Sequence, residues 1–441
     1  MATCPMTGRG GNSAALASLM SDNPRYAEMF DVNKETANAG VDNNRDYTDD
    51  MNALRDAAPV HQGSLRSLLG VPEMAHMMGP PRNEMTFFSY RACEIGFREN
   101  LLFSSEGYNE SAGVRTIGTT ILSMVGKPHK RLRSAAQPLF KRPKVIDWWN
   151  KRWIEETVDA LLDRLLDEEA TDLNTQLCAR LPMATVTRAM GLEGEDVIEF
   201  RYQLNRATFG AASLPPEEAA ASRAWVDQTL RDLIAENTRN PGDNLIAGLI
   251  KAEIVDEEDG IKRPLTEDEI FGYCKLAIFA GGGTTWRQLG ITIDALMNHY
   301  HFWEACRDDR SLVELAVEES LRWRCTDPMM PRLSTADAEV EGVHVPEGTR
   351  VYLCFGAANH DPAVFERPLE YDIFRKKQAN MGFGFGPHRC LGIEVARQEM
   401  IVAINGLLDR FPRMTLDPGK PNPEYRGLEH RGMTAVTVKL K

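Results

Sequence analysis

Phe383-Gly384-Phe385-Gly386-Pro387-His388-Arg389-Cys390-Leu391-Gly392 is the stretch from which the rest of the chain is best read. Glycines at 382, 384 and 386, with a proline at 387, make a rigid turn whose amides can approach a ligand closely. Directly after it, Leu391, Val395, Gln398, Ile401, Val402 and Leu408 recur at helical spacing. Cys390 therefore falls at a helix N-terminus, where the dipole and free N–H groups favour a thiolate. A pre-organised thiolate suits a metal ligand or a nucleophile. An arbitrary cysteine is more often simply buried, but the glycine turn, the basic neighbours and the helix start weigh against that here.

The remaining composition narrows the class. At roughly 100–200 residues per domain, 441 residues predict about three domains. Hydrophobic residues make up 43% and charged residues 26%, which excludes a disordered chain. Lys and Arg number 51 against 64 Asp and Glu, a net charge of −13. Spread evenly, that charge argues against a general binder of nucleic acid or anionic membrane. The eight cysteines include no C-x-x-C pair and no histidine at zinc-finger spacing, a pattern of reduced cytosolic thiols. Met1 to Asn12 lacks a signal-peptide layout, and no apolar run reaches the ~18 residues of a membrane span. A cytoplasmic protein without a membrane span is expected.

Residues 1–40 are polar, with Asn and Asp clusters, and read as a loosely ordered extension. Gly70 to Met85 reads as a second irregular stretch, rich in Pro and Met. From Val145 to Glu253 the pattern is mainly helical, broken at Gly191–Gly194, Leu214–Pro216 and Pro241–Asp243. Strand-like segments come late, at Val340–Val345, Arg350–Leu353 and Thr434–Leu440, with Pro346-Glu347-Gly348 as a turn. The organisation therefore predicts one large domain over residues 41–441, mainly α with small, antiparallel β-sheets.

The ten-residue run resembles the cysteine-ligand loop of the cytochrome P-450 superfamily, F-G-x-G-x-H-x-C-x-G, and every fixed position matches. The resemblance implies the fold of that family, an α+β architecture in a single large haem domain. It implies haem b, since no C-x-x-C-H attachment motif occurs, with Cys390 as the axial thiolate and Phe383 beside the cofactor.

Other motifs follow the family's order. Ser311-Leu-Val-Glu314 reads as a capping box opening a helix on which Leu312, Leu315, Ala316, Glu319, Arg322 and Trp323 share one face. Glu319 and Arg322 in an apolar stripe must satisfy each other. The pair resembles the family's E-x-x-R, and Arg375 falls where the third, structural member is placed. A second capping box, Thr266-Glu-Asp-Glu269, opens a helix running to about Asn298. Gly281-Gly282-Gly283 lies in its middle, at about 1 kcal/mol per glycine, so a kinked or opened helix approached by a ligand is expected. Ala280-Gly281-Gly282-Gly283-Thr284-Thr285 resembles the family's oxygen-binding signature [AG]-G-x-[DE]-T-T. Thr284 matches the proton-delivering threonine, with Thr285 beside it and Gly281 next to the cofactor, while Gly283 replaces the acid. His129 and Arg133 match the family's H-x-x-x-R; with Arg332 and His388 they are the candidates for the haem carboxylates. Asn359-His360-Asp361-Pro362 resembles the N-R-D-P segment with His in the usual Arg place.

Lys127, Lys130, Arg131, Arg133, Lys141, Arg142 and Lys144 form a basic island without an acid among them. By the resemblance this island borders the haem's proximal side, so Lys130, Arg131, Lys141 and Arg142 are expected to dock an acidic ferredoxin or flavodoxin. Nucleic acid is not expected there, since aromatic residues do not interleave, and a monomer is expected. The implied reaction is monooxygenation: hydroxylation or dealkylation of a small apolar substrate with dioxygen and two electrons. Leu276, Ala280, Met329 and Met330 are the pocket candidates, within expected substrate segments at 84–114, 211–216, 276–284 and 428–432. Met74, Met77 and Met78 read equally as an access lid or a surface loop. Three rivals stand beside this reading: a peroxide-using peroxygenase, favoured by Gly283; a haem-thiolate isomerase, dehydratase or nitric-oxide reductase; and a non-catalytic haem sensor.

Overall fold

The computed structural model describes residues 45–73, 79–111, 114, 117–192, 196–207, 214–255 and 260–441. The expected N-terminal extension, the methionines at 74, 77 and 78, and residues 211–213 lie outside the described residues. Eight helices matter for the site: α1 (Tyr90–Arg98), α2 (Gly126–Ala136), α3 (Arg180–Ala189), α4 (Asp196–Ala207), α5 (Pro216–Arg239), α6 (Glu267–Asn298), α7 (Leu312–Trp323) and α8 (Ile393–Arg410). Five strands form the main sheet: β1 (Val60–Gln62), β2 (Glu84–Phe87), β3 (Phe103–Ser104), β4 (Met330–Ser334) and β5 (Arg350–Leu353), in the order β1-β2-β5-β4-β3.

Local signals set most helix ends. Thr266 caps α6 with a reciprocal capping box to Glu269. Arg263, bonded to the same carboxylate, holds Glu269 at about 2. Proline begins α5, and α5 stops at Arg239 ahead of Pro241, as the breaks predict. The capping box expected at Ser311 does not form. The Ser311 hydroxyl donates to Asp309 (2.7 Å), and Glu314 is drawn to Arg142 (2.8 Å), a stronger partner than a backbone amide. Ala316, Glu319 and Arg322 of the expected stripe are buried, together with Val313, Val317, Ser320 and Leu321, whereas Leu312 and Trp323 are half-buried and Leu315 is exposed.

Strands depart further from expectation. Val340–Val345 is a hairpin, Ala338–Val340 against Val343–Val345, turning on Glu341 (φ 49°) and Gly342 (φ 80°). The sheets are not purely antiparallel: β5 pairs with β2 in parallel, Val351 opposite Met85, and with β4 in antiparallel. Met85 thus ends the supposed irregular stretch inside a strand. Residues 145–154 form a wide, π-type helix on which Trp149 and Trp153 bury their rings.

The core has a large helical part around Trp149, Trp286 and Trp303 and a smaller part beneath the sheet around Phe87, Phe97, Phe103 and Leu353. Each such aromatic side chain taken from water contributes about 1.5–3 kcal/mol. A cavity of about 310 Å3 draws its walls from both parts.

Candidate active site

The loop before α8 is fixed from several sides. The Cys390 amide donates to the Phe383 carbonyl (2.9 Å), Gly384 N to Met381 O (2.8 Å), and Met381 N to the Asn359 side chain (2.7 Å). Gly386 has φ +67°, and a Cβ there would sit 2.5 Å from the Phe97 carbonyl oxygen. Only glycine satisfies both conditions. Gly386→Ala is therefore expected to displace the loop from α1 and at least halve the haem bound per chain, measured against wild type by pyridine haemochrome.

Cys390 lies three residues before α8 and opens onto the cavity. Burial pushes its thiol up, opposed by the Gly392 amide and by Arg133. The helix terminus alone does not hold it as a thiolate; a bound cation is needed to complete that. The other six cysteines among the described residues are fully buried in the core. Cys4 lies outside those residues.

Beside it the candidate carboxylate-binding residues gather. Arg133, Arg332 and His388 line the cavity, and His129 lies against His388 with ring centroids 4.1 Å apart and planes tilted by 30°. Arg133 donates to the Arg389 carbonyl. His129 Nε2, His388 Nε2 and Arg332 Nε are buried polar atoms without a hydrogen-bond partner. Burial, and then neighbouring positive charge, lowers His129 to about 4 and His388 to about 3, so both rings are neutral. Orphaned polar atoms beside two guanidiniums suit a dianionic ligand, which would satisfy them and reverse the shifts. The residues fit haem.

Opposite runs α6. Thr284, Thr285, Gly281, Leu276 and Ala280 line the cavity, while Gly283 does not. α6 is continuous from Glu267 to Asn298, so it is not opened at the three glycines. At Gly282 a Cβ would meet Met183 Cε at 2.5 Å and Arg201 Nη1 at 3.0 Å, the far ends of two flexible side chains that would have to shift. Arg287 donates to the Gly283 carbonyl, and the Thr284 hydroxyl donates to Ala280 O (3.0 Å). Of the two methionines, Met330 lines the cavity, with the Tyr108 hydroxyl on its sulfur (2.8 Å). Met329 instead packs in a separate cluster with Tyr47, Phe88 and Leu428. Leu428 to Gly432 and residues 214–216 contribute nothing to the wall; Phe97, Ser105 and Tyr108 represent segment 84–114.

Behind the loop, Glu319, Arg322 and Arg375 come together. Arg322 grips Glu319 through two bonds (2.7 and 2.9 Å) and Arg375 adds a third (3.1 Å). Arg322 also donates to the carbonyls of Asn359, Pro368 and Glu370. His360 is buried and neutral, lowered to about 3 by burial, with Nε2 on Trp323 O (2.8 Å). Of the basic island, Lys127, Lys130 and Lys141 are exposed, Arg131 is half-buried, Arg142 pairs with Glu314, and Lys144 covers the Trp148 ring. Sequence reasoning missed Glu399, Tyr273 and Gln288, which also line the cavity. For Glu399 the signal was a carboxylate within the apolar stripe of α8.

In this fold one cavity is shared by a loop thiol, a polar wall and a threonine-bearing helix. The family model for cytochrome P450 matches residues 217–440. Cytochrome P450 107B1 of Saccharopolyspora erythraea is 35% identical over 325 residues, 73% of this chain and 78% of that protein. A steroid C26-monooxygenase of Mycobacterium tuberculosis is 30% identical across 74% of this chain and 87% of its own length. The solved cytochrome P450 PksS of Bacillus subtilis superposes with a TM-score of 0.77 at 26% identity, covering 89% of this chain and 96% of that one. The fold is shared with CYP109E1 of Bacillus megaterium in complex with testosterone, at a TM-score of 0.76, 24% identity and coverage of 90% and 99%. The chain belongs to the cytochrome P450 family. Members of the family are monooxygenases that bind haem b through a cysteine thiolate. Among the described residues no helix is long and apolar enough to cross a membrane.

Proposed function

We propose that this chain uses dioxygen and two electrons from a separate ferredoxin or flavodoxin to hydroxylate or dealkylate a small apolar molecule. The observation that carries the reading is the shared cavity, with Cys390 and Thr284 in one apolar enclosure. Haem held on a thiolate supplies electron density that favours O–O cleavage. The chain's own residues do the rest. Cys390 is the ligand, and Arg133, Arg332, His129 and His388 hold the carboxylates. Leu276, Ala280 and Met330 exclude water and orient the substrate's apolar face. The Thr284 hydroxyl, donating to Ala280 O at rest, is a movable proton carrier. Screening compounds for a low-to-high-spin shift identifies the substrate, and labelled dioxygen must then place one label in the product. Unlabelled product sinks the reading.

Donor docking is assigned to the exposed Lys130 and Lys141, with half-buried Arg131 and the Glu314-paired Arg142 at the margin. Reversing both lysines to Glu is expected to slow reduction by an acidic ferredoxin by roughly tenfold at low salt. The gap should close as ionic strength shortens the Debye length, and stopped-flow reduction at several salt concentrations measures it. A second reading, a peroxide-using peroxygenase, is favoured by Gly283. Turnover with peroxide and none with donor and NAD(P)H would establish it.

A further inference from the structure

Asp327 is an acid in the cavity wall that the reaction so far does not use. It stands between α7 and β4, on backbone held from both sides. The Thr326 amide donates to Gln288 Oε1 of α6 (3.1 Å), and the Pro328 carbonyl accepts from the Gly356 amide (2.8 Å). The Asp327 carboxylate accepts one bond, at Oδ1 from Nδ1 of the exposed His430 (2.9 Å). Among the described residues it forms no ion pair with Lys or Arg, and Oδ2 takes no hydrogen bond. Arg287, which senses its charge, donates instead to the Gly283 carbonyl. Glu399, the other acidic side chain in the wall, is pushed up to about 8 by burial and keeps its proton at neutral pH.

Leu276, Ala280, Thr284 and Gln288 follow one another at four-residue steps along α6, and all four line the cavity. Each step advances about 6 Å along the helix. The segment bearing Asp327 is tethered at the Gln288 end of this stripe, one turn beyond Thr284. An apolar molecule that fills the cavity expels the water around the carboxylate, which is costly for a charged group. A neutral donor would restore a hydrogen bond but not the charge balance. A protonated amine restores both.

We propose that Asp327 determines specificity by pairing with a protonated amine, so that the substrate is an apolar molecule carrying one basic nitrogen. The inference rests on the monooxygenase reading, whose apolar substrate it narrows. The ammonium group is held at the Gln288 end of the stripe, and its apolar part extends past Thr284 towards Ala280 and Leu276. Protonated on Asp327, the nitrogen has no lone pair with which to ligate iron.

The test reads binding on the ferric holoprotein, with no donor or oxygen consumed. The probes are phenylalkyl dimethylamines of increasing chain length, their carbon isosteres with CH in place of nitrogen, and the matching phenylalkyl alcohols. In wild type an amine of the series should produce the low-to-high-spin shift and bind roughly tenfold or more tightly than its isostere and its alcohol. Asp327→Asn keeps the shape and an acceptor for His430 but carries no charge. It should weaken the amine roughly thirtyfold, within the range of a hydrogen bond to a charged group, and leave the isostere unchanged. Asp327→Glu should recover part of the preference, and Asp327→Ser supplies the same comparison should the asparagine variant not fold. Amines bound no better than isosteres or alcohols, a spectrum of nitrogen on iron, or a preference that survives the loss of the carboxylate each overturn the pairing. Product without label from dioxygen overturns the monooxygenase reading but leaves the measured preference for amines in place.

Discussion

Cys390→Ala is expected to yield a protein whose reduced carbon monoxide complex lacks the red-shifted Soret band and which forms no product. The reasons are chemical and positional. No other side chain at that loop offers a soft anionic ligand, and the three glycine-bearing turns aim this one at the cavity. Burial raises the free thiol, with the Gly392 amide and Arg133 working the other way, so bound iron would supply the remaining stabilisation of the anion. The control is internal to the molecule. Cys354 is pushed up to about 12 by burial and Cys325 is also raised, both wholly enclosed. Either can become alanine for about 1 kcal/mol of packing with the band intact. A band that survives Cys390→Ala would move the ligand elsewhere.

Glu319→Ala should have the second large effect, on stability rather than chemistry. It strands two guanidiniums, Arg322 and Arg375, that are nearly sealed from water, and removes the acceptor of the Asp372 amide. Breaking such a buried pair from one side costs about 3–5 kcal/mol, a large part of a typical total of about 5–15 kcal/mol. Arg322 also ties together the carbonyls of Asn359, Pro368 and Glu370, and the Asn359 side chain in turn holds Met381 at the mouth of the cysteine loop. Lost stability should therefore appear together with lost haem. Thermal unfolding of the holoprotein and haem content per chain measure both; a variant with normal melting and full haem would refute the role.

Both predictions concern residues that short sequence motifs make visible on their own. The turn around Cys390, the i, i+3 pair of Glu319 and Arg322, the i, i+4 pair of His129 and Arg133, and the Thr266 capping box are each set by neighbours a few residues away. What escaped the sequence depends on distant partners. Ser311 fails as a cap because Arg142, far back in the chain, competes for Glu314. Met329 and Met330 are adjacent, yet Met329, just before β4, packs with Tyr47 and Phe88 while Met330, the first residue of β4, lines the cavity. The triple glycine suggested an opened helix, whereas α6 runs through it without a break. The parallel pairing of β5 with β2 joins segments more than 260 residues apart, beyond any local pattern.

The space beside Gly283 has an evolutionary reading as well. Every glycine codon that ends in a pyrimidine becomes an aspartate codon by one base change, so the usual acid is a single mutational step away. Little in the fold obstructs that step, because the new side chain would meet a guanidinium. A pressure for or against a carboxylate at 283 would therefore act through that single step. Libraries randomised at this codon under selection for turnover would expose that pressure directly, as enrichment or depletion of the acid.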